Sequence, residues 1–184
     1  MAWPSPGSAI FTQAATNPLL GGASAVTVPT GWTFGTTTPA TATNKVALYG
    51  NTGTPDKDAA VGLTGYAAAT SAWVTGNEST GTGYTAGGTT MGTKTWTWAN
   101  GNPATLTLAN SVAPTWTLTS AITAYGDLVY CTTITGGTVL NQGFAFHSFG
   151  GAVSLGGSGG TFTIAWPTVN TVANTVMQLS FAYA

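Results

Sequence analysis

The chain has 184 residues, of which 4% are charged: three Lys, no Arg and four acidic residues, with a single His and a formal net charge of −1. An ordinary soluble domain carries roughly a quarter charged residues, and phosphate binding needs clustered Lys and Arg; Lys45, Lys57 and Lys94 are scattered, which excludes nucleic acid as a partner. The length fits one domain, and 43% hydrophobic residues, with seven Trp, seven Phe and six Tyr, supply a core and exclude a disordered chain.

Residues 1–43 read as an extended arm. Pro4, Pro6, Pro18, Pro29 and Pro39 interrupt it, and alternation is confined to Ala25-Val26-Thr27-Val28 and Trp32-Thr33-Phe34. Trp3, Ile10, Phe11, Leu19, Leu20, Trp32 and Phe34 make it too apolar for a solvated tail. These seven are candidate partner contacts, on the chain's own body or on a neighbouring subunit; an ordinary first strand with loops is the alternative. The opening Met1-Ala2-Trp3-Pro4-Ser5-Pro6 has no basic stretch ahead of an apolar run, so no signal peptide is expected.

From residue 44 strand signals recur, and residues 44–184 read as a single β-sandwich domain. Thr, Val and aromatic residues dominate where helix formers are scarce, and Gly and Pro punctuate at short intervals. Lys45-Val46-Ala47-Leu48-Tyr49 is the first strand, followed by a polar loop over 50–58. Ala-rich residues 59–75 suggest one short helix around Gly65 to Ala72. Thr93-Lys94-Thr95-Trp96-Thr97-Trp98 alternates with period two, Asn100-Gly101 signals a tight turn, and Ala104 to Leu108 alternates again; residues 93–108 are a hairpin. Trp116–Thr119 is another strand, and Asp127–Thr132, apolar on both faces, a central one. Gly143–Phe149, Thr161–Trp166 and Val176–Tyr183 complete the set, with a flexible Gly-rich tip at 156–160. About eight antiparallel strands of ordinary length predict an all-β, two-sheet sandwich.

Catalytic chemistry has few carriers. Asp56, Asp58, Glu78, Asp127 and His147 are the acid–base candidates. A Ser/His/Asp arrangement through His147 and Asp127 is formally open, but no Gly-x-Ser-x-Gly elbow precedes a helix, and His147 reads as a strand histidine with a local hydrogen bond. Cys131 reads as a small buried hydrophobe. Asp56-Lys57-Asp58 offers two carboxylates to Ca²⁺, far short of its usual oxygen shell and opposed by the intervening Lys. The expectation is no catalytic residues, no cofactor and no metal. Trp96 and Trp98 share one strand face, which suits either a core or a sugar-stacking platform.

One segment is more specific. Trp73 to Gly88, with Asn77, Glu78, Gly81, Gly83, Tyr84, Gly87 and Gly88, resembles a signature of roughly N-E-V-x-G-T-G-Y-x-x-G-G in small structural proteins of tailed bacteriophages. The flanks at 45–49, 54–56, 116–130 and 160–166 are similar to the same family, so the resemblance covers residues 43–184. Ser79 departs from it, standing where an aliphatic residue is usual, as does the longer Gly-rich loop at 156–160. Physically, Asn77 and Glu78 suit turn hydrogen bonds, the glycines permit positive φ, and Tyr84 pairs a packed ring with a polar tip; Glu78 is the charged residue expected to have a fixed structural partner.

The resemblance implies a virion structural protein: a capsid decoration (cement) protein, expected as a trimer contacting the major capsid protein and copies of itself, assembled in the host cytoplasm. The alternatives are a minor tail or fibre protein that touches the host surface and a carbohydrate-binding module that takes a glycan. No membrane partner is expected, because no run approaches the roughly 18 apolar residues that a spanning helix requires.

Overall fold

The computed structural model describes residues 9–10, 43–59, 63–100, 104–132, 135–136, 139–157, 160–168 and 172–181. Within them the protein is all-β and every strand pairing is antiparallel. In chain order the strands are β1 (Ala9–Ile10), β2 (Asn44–Tyr49), β3 (Thr89–Thr90), β4 (Lys94–Ala99), β5 (Ala104–Asn110), β6 (Thr115–Leu118), β7 (Ile122–Cys131), β8 (Thr135–Gly136), β9 (Val139–Leu140), β10 (Gly143–Leu155), β11 (Gly160–Thr163) and β12 (Thr175–Phe181). Four of these are two-residue strands; the longer ones overlap the segments that alternation and turn residues marked out, but β7 already begins at Ile122, β10 runs on past Phe149 to Leu155, and β11 stops at Thr163 short of Trp166.

The strands form a five-stranded sheet ordered β1-β10-β7-β2-β3, a three-stranded sheet ordered β12-β5-β4, and two-stranded sheets β11-β6 and β8-β9. β7 lies in the middle of the largest sheet, between β10 and β2. Its second half, Gly126–Cys131, is buried without interruption, as an apolar-on-both-faces strand demands. The hairpin of β4 and β5 runs in register from Lys94 opposite Asn110 to Ala99 opposite Thr105; the turn residues 101–103 lie outside the described part.

One apolar core is shared by the sheets. Val46, Leu48, Leu128, Val129 and Phe144 of the large sheet pack in the same cluster as Leu108 and Val176 of the three-stranded sheet and Trp116, Leu118 and Phe162 of β6 and β11. Each fully buried aliphatic or aromatic side chain contributes about 1.5–3 kcal/mol. On β6 the alternation is clean, with Trp116 and Leu118 buried and Thr115 and Thr117 exposed.

Gly65 to Ala72 is not a helix. The segment is a chain of turns: the Ala68 amide donates to the Gly65 carbonyl and the Ser71 amide to the Ala68 carbonyl, while Ala67 takes φ 64°. A left-handed residue in mid-segment is incompatible with a right-handed helix, and the Ala67 amide bonds to the Trp73 carbonyl instead. A 3-10 turn follows at Thr75–Asn77.

Of the arm residues, Ile10 is described: Ala9 and Ile10 pair with Phe146 and Ala145 on β10. Trp3, Phe11, Leu19, Leu20, Trp32 and Phe34 lie outside the described residues.

Candidate functional site

The segment from Trp73 to Thr90 is laid against the large sheet and held there by backbone bonds. The Gly50 amide donates to Asn77 O and the Ser79 amide to Leu48 O, so Glu78 forms an isolated bridge with Tyr49 at the end of β2. Further on, Thr119 N–H donates to Thr82 O at 2.9 Å, and β3 closes the loop by pairing Thr89 and Thr90 with Val46 and Lys45. The Ser79 hydroxyl donates to Thr123 O at 2.9 Å. That bond gives the polar residue at this site a physical role: it ties the loop to β7.

Two glycines are fixed by close approach. Gly88 has φ 69°, and a Cβ there would lie 1.7 Å from Val46 O. Gly83 has φ 97°, with Thr117 O 2.6 Å from where its Cβ would be. Positive φ and backbone contact together leave glycine as the residue that fits.

The loop wraps around a carboxylate. Glu78 is 8% exposed. Its Oε1 accepts from the Tyr84 hydroxyl at 2.6 Å and from the Gly87 amide at 2.7 Å, and its Oε2 accepts from the Tyr66 hydroxyl at 2.9 Å. Bonds to a charged acceptor are the stronger kind, and they satisfy a charge that no ammonium or guanidinium meets among the described residues. The ring extends outward: Tyr66 stacks on Tyr130 with centroids 4.7 Å apart, and the Tyr130 hydroxyl donates to Gly87 O at 2.7 Å. Tyr84 in turn accepts from the Leu48 amide at 2.9 Å. Tyr49 donates to Trp73 O at 2.8 Å and meets the Trp73 ring edge-on at 5.1 Å.

These phenols are held neutral. Burial first, then the hydrogen bond and charge of Glu78, push Tyr66 up to about 12 and Tyr84 well above the ordinary tyrosine value. Burial, with Glu78 and neighbouring phenols behind it, raises Tyr49 and Tyr130 as well. Both Glu78 oxygens accept from donors already in place, so the carboxylate anchors the loop around it. Asn77 caps the approach, its side-chain amide donating to Ala72 O at 3.2 Å.

A second polar centre lies across β7 and β10. His147 stands directly opposite Asp127 in the ladder, with Nδ1 2.7 Å from Asp127 Oδ1 and Nε2 3.0 Å from Val176 O. Asp127 is fully buried. Burial works against the imidazolium, but the charge and hydrogen bond of Asp127, with the Val176 carbonyl, outweigh it and hold the His147 pKa above its usual value. A catalytic triad needs the far ring nitrogen to face a nucleophile; here it faces a backbone carbonyl, which can only accept.

The remaining candidates stay apart from both centres. Asp56 Oδ1 accepts from the Asp58 amide at 2.9 Å, and Asp58 pairs with Lys57, all on an exposed loop. Cys131 is buried and in no disulfide. Among the described residues no three of His, Cys, Asp and Glu gather as a metal site, and no helix is long and apolar enough to cross a membrane. The side chains of Trp96 and Trp98, and with them the sugar-platform reading, lie outside the described residues.

Tyr66 and Tyr130 are members of the Glu78 ring that the sequence motif does not contain. Tyr130 carries a weak signal, a phenol inside an apolar strand whose hydroxyl must find a partner; Tyr66, in a small-residue stretch, carries none. Searches of family models, curated proteins and solved structures find no match to this chain.

Proposed function

We propose that the protein is a non-enzymatic structural component of a bacteriophage particle, a decoration or cement protein of the head that binds the major capsid protein and copies of itself as a trimer. The observation that carries this reading is where the few charges go. Glu78 and Asp127 are buried inside the protein, Lys45 and Lys94 are half-buried, and Asp56, Lys57 and Asp58 share one loop where Lys57 and Asp58 pair with each other. The sequence holds no further Lys, Arg, Asp or Glu, so no other side chain of these types charges the surface. A free monomer usually depends on a charged coat for solubility, whereas neutral groups lose far less than ions when a neighbour displaces water.

The resemblance of residues 43–184 to small phage structural proteins supplies the kind of assembly. A scaffolded loop built on a carboxylate and three tyrosines fits that role, because its parts all serve to hold backbone in place. The mechanism is mass action: a protein that binds the closed shell and not the loosened one stabilises the shell in proportion to its occupancy.

The test compares heads purified with and without the protein. Decorated heads are expected to retain DNA to a higher temperature, and gold-labelled antibody is expected on heads. Equal retention temperatures would remove the cement role, and label on tail tips would move the protein to the tail.

A further inference from the structure

We propose that His147 is a proton-gated clasp between the two main sheets: with a proton on each ring nitrogen it fastens β12 to β10 and β7, and losing one of those protons releases β12. Facing an Asp127 carboxylate on one side and a carbonyl on the other, both of which accept, the ring donates from both nitrogens in the fastened state. Val176 O is a carbonyl and can only accept, so Nε2 must donate. Asp127 Oδ1 at 2.7 Å is met by Nδ1 as the second donor. Because β12 pairs with β5 and belongs to the three-stranded sheet, one side chain of the five-stranded sheet thereby holds the backbone of the other.

The surroundings make the gate sharp. Asp127 is 0% exposed, and its second oxygen, Oδ2, has no partner. Among the described residues the groups facing the imidazole are Asp127 from β7, the Val176 carbonyl from β12, and the Trp166 ring with its centroid 5.7 Å away. On β2 the residue opposite Asp127 is Leu48, so no second acid or base from that strand shares the load. When one proton is lost, the ring keeps the other on Nδ1 against Asp127, and Nε2 turns a lone pair toward the Val176 carbonyl, which can only accept, so the bond to β12 is the one that breaks.

The raised histidine pKa sets the direction. A base whose folded-state pKa exceeds its unfolded value contributes stability that is complete below the unfolded value, and the contribution is lost as pH rises through the folded one. The clasp therefore opens on the alkaline side. Burial also lowers the Lys94 pKa, but Lys94 lies on β4, at the edge of the three-stranded sheet farthest from β12.

His147 is the only histidine in the chain, so its Hε1 resonance reports this proton without ambiguity. Amide protection of β12 is followed from about pH 6 to about pH 9 in the full chain, with β2 and β7 as references. Protection of β12 is expected to fall about tenfold or more with the midpoint of the Hε1 titration, while β2 and β7 hold theirs. In His147→Gln, which keeps a donor but no charge, the β12 profile should be flat with pH and low throughout. Parallel loss across all three strands, a β12 profile indifferent to pH, or a wild-type profile in His147→Gln would each overturn the clasp. If the variant does not fold, the wild-type comparison decides: a β12 midpoint that departs from the Hε1 midpoint rejects the proposal.

Discussion

The Tyr84 hydroxyl donates to Glu78 Oε1 at 2.6 Å and accepts from the Leu48 amide at 2.9 Å, so a single phenol fastens the glycine-rich loop near the C-terminal end of β2. Tyr84→Phe keeps the ring, its packing near Trp116, and the fold of the loop. It takes away one charge-assisted bond and leaves the Leu48 amide without an acceptor. The expected loss is about 2–4 kcal/mol, from an unmet buried amide together with a lost bond to a charged group. Tyr66→Phe removes one bond from a more open position and should cost about 1–2 kcal/mol. Denaturant midpoints measure both, and equal costs would contradict the ordering.

Removing the carboxylate should be worse than removing either phenol. In Glu78→Ala the Tyr84 and Tyr66 hydroxyls and the Gly87 amide all lose their acceptor. With about 1–3 kcal/mol for each buried donor left unmet, a loss of at least ~3 kcal/mol is expected. Glu78→Gln retains one oxygen and brings an amide group toward donors, so it should fall between Tyr84→Phe and Glu78→Ala. Chemical denaturation of the three variants in parallel gives the ranking, and Glu78→Gln at wild-type stability would show that the negative charge is not what the ring is built around.

Gly88→Ala tests the backbone contact with Val46. The added methyl would stand 1.7 Å from a carbonyl oxygen, at φ 69°, and neither the loop nor the central sheet can give way by the distance required. The expected loss exceeds ~4 kcal/mol, the range reserved for a named severe mechanism. Gly76→Ala is the matched control on the same loop: nothing lies within 4 Å of its added carbon, and a change within about 0.5 kcal/mol is expected. Soluble yield and thermal midpoint separate the two.

Much of the fold was legible because strands announce themselves locally. Alternation in Thr95–Trp98 and Ala104–Leu108, with Asn-Gly between, is a property of the segment itself and needs no knowledge of neighbours. The misreading at Gly65–Ala72 has the opposite origin: small residues permit a helix, but the turn is decided by the Trp73 carbonyl and by Asn141, whose carbonyl accepts from the Tyr66 amide. Glu78 was legible as a charge needing partners. Its partner Tyr66, 12 positions away, was not, and neither was Tyr130, which stacks on Tyr66 and bonds Gly87 O; both come to the ring through tertiary packing. The Asp127–His147 pair was visible as two residue types. That they stand opposite each other depends on the β10–β7 register, which a bulge between Gly143 and Ala145 resets.

The buried phenols predict an alkaline limit distinct from the His147 clasp. Tyr66 is pushed up to about 12, and Tyr49, Tyr84 and Tyr130 are raised further, burial being the leading cause throughout. In the unfolded chain the same groups ionise near 10. A raised folded-state value means that the contribution to stability is whole below about pH 10 and drains away as pH climbs past it, because the unfolded chain gives up these protons first. Absorbance near 295 nm should therefore show the hub phenols ionising together, in one step that coincides with loss of the far-ultraviolet circular dichroism of the sheets. Glu78→Gln removes the charge that adds to burial at Tyr66 and Tyr84, so its step should come at lower phenolate cost and be less steep. Smooth ionisation of all phenols near pH 10 with the sheet signal intact would show that the ring around Glu78 is open to water and that the loop is not the rigid scaffold described above.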